Sequence, residues 1–325
     1  MISFIVIGRN EEKNLRRCFN SIYNTILYNQ INDHEVIFVD SKSTDRSVNI
    51  AEEFKEIKIY GISGCCNAAI GRNIGAKESK GSILFFIDGD MEIQKEFLRE
   101  VLDEEMNLKY DVVSGQIYEI IDGIHDKLRY TFKKKAVTSI DYLVPGGIFL
   151  IRKNIWELVN GMRTKYNTGE DLELGYRILR EGFEFIRRKE IITNHYTYAN
   201  LDINRMWQGI FNKSAFYPRC VTYRDHFTNK YMYYGLWTLD KSFILLVFIL
   251  FSMILMPKSI PYLVLVYFLA ILIRCLKKVK DFSFIKYFLY YLFFDILNLI
   301  YLFTFFPKNK NLKYFVISDI EQKQT

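Results

Sequence analysis

Ser-Ile-Leu-Phe-Phe-Ile-Asp-Gly-Asp, at residues 82–90, is the stretch around which the rest of the chain is organised. Its apolar run is too short to span a membrane and ends in two carboxylates separated by one glycine. This pattern is typical of a buried strand that carries acids at its carboxyl end. Two carboxylates there offer the hard oxygen ligands that divalent cations prefer. An ordinary Asp-Gly turn explains the same residues, so the surrounding sequence must decide between the two interpretations.

The sequence on both sides alternates between short apolar runs and segments with apolar residues at helical spacing. This alternation predicts an α/β fold with a mostly parallel sheet flanked by helices. The apolar runs predict strands at residues 2–7, 35–39, 57–60 and 83–87. The helical spacing predicts helices at 12–23 and 68–78, and a further helix that begins after the capping residues 43–45.

Polar residues follow several of these strands. Ligands of such sheets bind beyond the carboxyl ends of the strands, so Asn10, Asp40, Asp88 and Asp90 are expected to meet at one edge. The chain has no Gly-x-Gly-x-x-Gly after the first strand and no Gly-x-x-x-x-Gly-Lys-Ser/Thr. This argues against a dinucleotide oxidoreductase and against a P-loop enzyme.

The second half of this region contains another acidic cluster. A helix is predicted at 97–108, and the sequence pattern of residues 112–147 is less regular. The Lys133–Lys135 run in this region indicates a solvated face, and a phosphate-binding role is the alternative interpretation of these lysines. A strand at 148–151 and a helix at 155–159 follow. Gly169-Glu170-Asp171 then begins a segment of helical spacing, where the helix dipole favours negative charge. Ordinary helix capping is the alternative interpretation.

Charge and cysteine content restrict the partners and the compartment. The 325 residues carry a net charge of +7, and from residue 274 onward nine Lys and Arg stand against four Asp and Glu. The basic excess therefore lies beside the apolar runs, which favours anionic lipid over nucleic acid as the partner. The five cysteines form no Cys-x-x-Cys pair, and the amino terminus lacks the features of a signal peptide, so a folded cytosolic start is expected.

The last third of the chain holds the longest apolar runs. Residues 242–256 and 260–273 contain no charged residue and predict a helical hairpin over 236–276, with a soluble core as the alternative. A third apolar helix is predicted at 283–306, and it places Asp295 and Asn298 on one face with two tyrosines. With this polar face, we expect the helix to lie at the membrane interface, to be re-entrant or to pack on the hairpin at least as readily as to span the membrane. Basic clusters flank it on both sides, which favours both ends in the cytoplasm.

Six segments, in this order, resemble the family 2 glycosyltransferases with a GT-A fold. The resemblance covers about residues 1 to 200, and its strength lies in the order and spacing of the segments. Together with the change in composition at residue 231, it predicts a catalytic domain at 1–230, followed by membrane-associated helices and a basic tail at 231–325. The segments are Ile7–Asn14, Val39–Asp45, Gly71–Ala76, Asp88-Gly89-Asp90, Gly146-Gly147 and Gly169–Leu174.

The resemblance also implies roles for the donor side of the site. Asp90 would bind Mn²⁺ or Mg²⁺, with Asp88 supporting the metal or the nucleotide. Asn10 and Asp40 would lie at the nucleotide, and Arg72 would approach the sugar donor.

On the acceptor side, Asp171 matches the family's catalytic base, with Glu170 beside it. The family is inverting, so a single in-line displacement is implied. His195 would either complete the metal shell or serve as a structural histidine. Arg205-Met206-Trp207 departs from the Gln-x-x-Arg-Trp signature of processive members, which argues against a processive polymer synthase.

The resulting hypothesis is a membrane-attached enzyme that moves a sugar from a nucleotide-sugar donor to an acceptor at the cytoplasmic leaflet. A lipid-linked glycan in cell-surface polysaccharide synthesis is the expected acceptor. A polyprenyl-phosphate glycosyltransferase is one alternative, and a catalytically silent nucleotide-sugar-binding protein is another.

Overall fold

The computed structural model describes residues 1–121, 125–129, 136–138, 146–197, 203–276 and 284–318. The chain forms two compact units. The first comprises Met1–Ala199 with Lys308–Thr325, and the second comprises Asn200–Pro307.

The first unit is built on a mixed sheet that has 11 strands within the described residues. The strand order along the sheet is β11-β3-β2-β1-β4-β9-β6-β10-β5, with β7 paired to β6 and β8 to β10. β1, β2, β3 and β4 run parallel, while β9 and β11 are antiparallel to their neighbours. The predicted α/β sheet is thus confirmed. The strands are β1 Ile2–Gly8, β2 His34–Asp40, β3 Ile57–Ile62, β4 Ile83–Asp88, β5 Met91–Ile93, β6 Val112–Ile121, β7 His125–Leu128, β8 Ala136–Thr138, β9 Phe149–Arg152, β10 Phe185–Thr197 and β11 Tyr314–Ser318.

Helices cover both faces of this sheet because alternate side chains of its central strands point in opposite directions. Phe4 and Val6 of β1 join the core on one face, and Ile5 and Ile7 join the cores on the other. A Cβ at Gly75 would lie 2.2 Å from Ile5, so the small residues of α3 allow it to approach the sheet closely. The helices are α1 Leu15–Tyr28, α2 Ser47–Glu52, α3 Ala68–Glu78, α4 Phe97–Val101, α5 Lys153–Leu158 and α6 Glu170–Arg180.

Two predicted elements differ from the structure. The helix expected at 97–108 ends at Val101, because Asp103 accepts a hydrogen bond from the Asn107 amide and the chain turns to form a bridge between Leu102 and Leu108. The segment expected to be irregular begins with the ten-residue strand β6, whose first six residues are buried. Its Lys133–Lys135 run lies outside the described residues.

The second unit is helical, and the described residues contain two helices long and apolar enough to cross a membrane. These spans are Pro257–Leu276 and Phe284–Thr304; a third would exist if Lys230–Thr238 and Lys241–Leu255, bent by 104°, formed one span. The predicted polar face of the last helix is buried: Asp295 and Asn298 are both 0% exposed. The helices are α7 Ile203–Phe211, α8 Thr222–Asp225, α9 Lys230–Leu239, α10 Lys241–Leu255, α11 Ile260–Leu276 and α12 Phe284–Thr304.

The chain that follows α12 returns to the first unit. Its strand β11 pairs with the edge strand β3 in antiparallel register, from Tyr314 opposite Ile62. The predicted domain boundary at residue 230 stays a prediction, although the contacts group the tail with the sheet.

Candidate active site

The candidate active site lies at the carboxyl ends of β1, β2 and β4. The register of these parallel strands places Gly8 opposite Asp40, and Ile7 opposite Asp88. A cavity of about 290 Å³ opens beside them, lined among others by Glu11, Asn67, Asp88 and Asp90. The edge predicted to bind ligands is therefore a concave, acidic surface.

A buried arginine joins two carboxylate centres of this site. Arg72, on α3, is only 2% exposed; its Nη2 donates to Asp88 Oδ1 at 2.7 Å and its Nη1 donates to Glu170 Oε1 at 2.9 Å. Burial raises the pKa of Asp88 to about 6 against the opposing effect of Arg72. Both Nη atoms contact the protein's own carboxylates, so a direct contact of Arg72 with the donor stays a prediction.

The second acid of the central motif is held by a histidine. His195 Nε2 lies 3.1 Å from Asp90 Oδ2, and its Nδ1 lies 2.9 Å from Arg129 Nη2. A guanidinium can only donate, so Nδ1 accepts and the proton of the neutral ring lies on Nε2, which donates to Asp90. In this arrangement His195 can orient Asp90, and its predicted role as a metal ligand stays a prediction. Arg129 also donates to Glu119 at 2.9 Å, so its guanidinium links Glu119 to His195.

The acidic edge fits a divalent cation. Asp90 Oδ1 is buried and has no hydrogen-bond partner within the described residues. Burial, with the charges of Asp90, Asp88 and Asp45, raises the pKa of Glu11 to about 7. No three His, Cys, Asp or Glu side chains form a metal-binding group within the described ranges. Mg²⁺ is usually bound by one or two carboxylates together with substrate phosphates, so a full protein cage is not required.

The other carboxylate centre is at the start of α6. Asp171 Oδ2 accepts from the Gly146 amide at 3.3 Å, and its Oδ1 accepts from the Leu172 amide at 2.8 Å. Burial raises the pKa of the neighbouring Glu170, and the charge of Asp171 raises it further. The acids predicted at this helix terminus thus face the site.

Gly146 and Gly147 lie between the two centres. Both have a positive φ, 78° and 85°. A Cβ at Gly147 would lie 2.1 Å from Asp88 Oδ2, so only glycine allows the backbone to pass this close to the carboxylate. The backbone of this glycine pair therefore lies close to the site's own acids.

The side chains of Asn10 and Asp40 accept hydrogen bonds from backbone amides of the loop that follows β2. Asn10 Oδ1 accepts from the Thr44 amide at 2.8 Å, and Asp40 accepts from the Ser43 amide at 3.0 Å. Asp40 is 5% exposed. Their contact with a nucleotide stays a prediction. Sequence reasoning missed Glu11, although it lies in the Ile7–Asn14 segment, because the burial that raises its pKa depends on the fold.

Comparison with known families identifies the class of protein. The family model for glycosyl transferase family 2 matches residues 3–170, more than half of the chain. The chain therefore belongs to glycosyl transferase family 2, as the sequence motifs indicated.

Two proteins that are similar in sequence to this chain are named as glycosyltransferases. A Methanococcus voltae dolichyl N-acetyl-α-D-glucosaminyl phosphate 3-β-D-2,3-diacetamido-2,3-dideoxy-β-D-glucuronosyltransferase is 23% identical, over 62% of this chain and 68% of its own length. The Haloferax volcanii glycosyltransferase AglE is 30% identical, over 60% of this chain and 66% of its own length. The chain thus spans about two thirds of each relative.

Solved structures share the fold. S. aureus TarS 1–349 with UDP-GlcNAc superposes with a TM-score of 0.50 and 20% identity, covering 66% of this chain and 65% of that one. GalNAc-T7 with UDP, GalNAc and Mn²⁺ superposes with a TM-score of 0.51 and 16% identity, covering 62% of this chain and 44% of that one. At these identities the likeness concerns the fold alone.

Proposed function

We propose that this glycosyltransferase moves a sugar, with inversion, from a nucleotide-sugar to a hydroxyl of a lipid-linked glycan. The observation that carries the proposal is the bridge from Asp88 through Arg72 to Glu170, with distances of 2.7 and 2.9 Å. This bridge holds Asp88, at the end of β4, and Glu170, at the start of α6, close together, and we assign the first to the donor side and the second to the acceptor side. A displacement reaction needs both, because the leaving group must be stabilised while the attacking hydroxyl loses its proton.

On the donor side, Asp90 and Asp88 would hold Mn²⁺ or Mg²⁺, which neutralises the negative charge of a departing nucleoside diphosphate. His195 donates to Asp90 Oδ2, so Oδ1, which is buried and unpartnered within the described part of the chain, is the oxygen that would hold the ion. Asn10 and Asp40 would line the nucleotide side of the same edge.

On the acceptor side, Asp171 would accept the proton of the attacking hydroxyl. The Gly146 and Leu172 amides each donate to one of its oxygens, which restrains the orientation of the carboxylate. Among the described residues, these amides are one partner for each oxygen, and a carboxylate oxygen can accept more than one hydrogen bond. Glu170 lies beside it and is fixed by Arg72.

The acceptor class is supported by a relative and by the apolar helices. The M. voltae relative is named for transfer to a dolichyl-linked sugar phosphate. Two candidate spans in this chain would keep the enzyme at a membrane, where such acceptors lie. We place the catalytic unit on the cytoplasmic face because Lys and Arg cluster on both sides of the third apolar run.

The test is a screen of nucleotide-sugars and nucleoside diphosphates, with and without Mn²⁺, for thermal stabilisation, followed by a transfer assay with labelled donor. We expect stabilisation that depends on both the nucleotide and the ion. No response to any nucleotide would contradict the proposal, and binding without transfer would favour the silent binding protein.

Asp171→Asn separates the remaining alternatives. With a hydroxyl acceptor, we expect turnover to fall by about 10²- to 10⁴-fold while nucleotide affinity is kept. Turnover that survives this change would favour a polyprenyl-phosphate acceptor, because a phosphate needs no base to remove a proton.

A further inference from the structure

We propose that residues 308–318, here called the C-terminal strap, position the loop that leads to Asp171, and that Thr164 is the positioning residue through which they act. The inference rests on the proposed function, since it assigns Asp171 as the base. It extends that function to a segment that follows the apolar helices in sequence and that carries no catalytic motif.

The strap pairs with the edge of the sheet and packs closely against it. β11 pairs with β3 along the edge of the sheet, and the Ser63 amide donates to the Lys313 carbonyl at 2.9 Å. A Cβ at Gly61 would lie 2.7 Å from the Phe315 ring, and one at Gly64 would lie 3.2 Å from Lys313 Cβ. Glycine at these two positions lets the strap approach the sheet closely.

Thr164 makes a reciprocal pair of hydrogen bonds with the strap. Its hydroxyl donates to the Lys310 carbonyl at 2.7 Å and accepts from the Lys310 amide at 2.7 Å. Thr164 is 7% exposed, so water competes poorly for these groups. The next residue adds a third bond, from the Lys165 amide to Asn309 Oδ1 at 3.1 Å.

The same loop is held from its other side by α3 and its N-cap. Asn67, the N-cap residue, donates from Nδ2 to the Thr164 and Tyr166 carbonyls at 2.9 and 3.0 Å. Asn73 exchanges two bonds with the Met162 backbone, at 2.7 and 2.9 Å. Residues 162–167 are thus fixed between the helix that carries Arg72 and the strap.

This loop runs directly into the acceptor side of the site. Gly169, with a φ of 73°, forms the N-cap of α6, and Glu170 and Asp171 begin the helix. Loss of the strap contacts would free one side of the loop, so the start of α6 would be less well fixed. A misplacement of about 1 Å at a reacting group lowers the rate by on the order of 10²-fold, whereas the donor side would keep its own contacts.

Thr164→Val tests this inference, with Thr164→Ser as its matched control in the full-length protein. Valine keeps the shape of threonine but cannot bond to Lys310, while serine keeps the hydroxyl. We expect the valine variant to lower kcat by about tenfold or more while the affinity for UDP or GDP with Mn²⁺, whichever stabilises the wild type, is unchanged. The serine variant should turn over like the wild type.

Hydrogen exchange gives a readout that needs no substrate. The amides of residues 162–172 should exchange faster in the valine variant than in the serine variant, while those of β1 and β4 stay equally protected. Equal turnover and equal exchange in the two variants would overturn the inference, as would a parallel loss of nucleotide affinity and turnover. If the wild type itself neither bound nucleotide nor transferred sugar, the proposed function would fail, whereas the exchange result would still report on the strap.

Discussion

Replacement of Gly147 by alanine should disable the donor side of the site without unfolding the protein. The added Cβ would lie 2.1 Å from Asp88 Oδ2 and 3.0 Å from its carboxyl carbon. To reach an ordinary van der Waals contact, the carboxylate must retreat by roughly 1 Å. Asp88 also accepts from Arg72 at 2.7 Å, so a retreat of this size disturbs the bridge to Glu170.

The magnitude has two parts. A left-handed backbone costs an alanine about 1–2 kcal/mol, and this strain appears in the free energy of unfolding. A displacement of about 1 Å at a group that supports the cation and the diphosphate should lower turnover by on the order of 10²-fold, or roughly 2.7 kcal/mol in the activation free energy.

Gly182→Ala is the matched control for the first part. Gly182 has a φ of 86°, nearly that of Gly147, and nothing lies within 4 Å of a Cβ built on it. Urea unfolding should therefore show a similar backbone cost in both variants, while Mn²⁺-dependent stabilisation by a nucleoside diphosphate and sugar transfer should be lost only in Gly147→Ala. If Gly147→Ala matched Gly182→Ala in nucleotide affinity and in turnover, the reasoning would be refuted, because the close approach of Gly147 to Asp88 would then not affect function.

Two further substitutions test the buried charges. Arg72→Met removes the guanidinium that Asp88 and Glu170 share, so the free energy of unfolding should fall by about 3–5 kcal/mol in urea, and by less in Arg72→Lys. Stability equal to the wild type would contradict the bridge. Burial acts to raise the pKa of Glu35, but hydrogen bonds and the Lys58 ammonium hold that pKa below its usual range. The stabilisation by its charge is therefore complete above the ordinary pKa of glutamate and is lost as the pH falls through the lower pKa of the folded state. Glu35→Gln should cost about 2 kcal/mol at pH 7, and this cost should shrink progressively as the pH falls below about 4. A difference that did not shrink in acid would refute this assignment.

The central strands and their acids were predictable because the signals are local. A run of apolar residues followed by Asp-Gly-Asp places carboxylates at the end of a buried strand, whatever the rest of the chain does. The structure ends β4 at Asp88, as the pattern implies. Helix α4 was predicted too long because the turn at Asp103 competes with the helix, and helical spacing alone does not report that competition.

The membrane region was predictable in part. The lengths of its apolar runs predicted helices, and the described residues contain two candidate spans. The face shared by Asp295 and Asn298 was visible from their spacing, whereas their burial depends on packing. The bend of 104° between α9 and α10 was not predicted, because each segment by itself has an apolar, helical composition.

The sequence by itself thus determined the family, the central parallel strands and the two acidic clusters, since each rests on the order of residues along short segments. Only the tertiary structure decided that Arg72 contacts Glu170, 98 residues away, and that Thr164 contacts Lys310, 146 residues away. It also decided that His195 donates to Asp90, because that assignment depends on Arg129 occupying the other ring nitrogen. Contacts of this kind are set by the packing of separate elements, and no local periodicity in the chain encodes them.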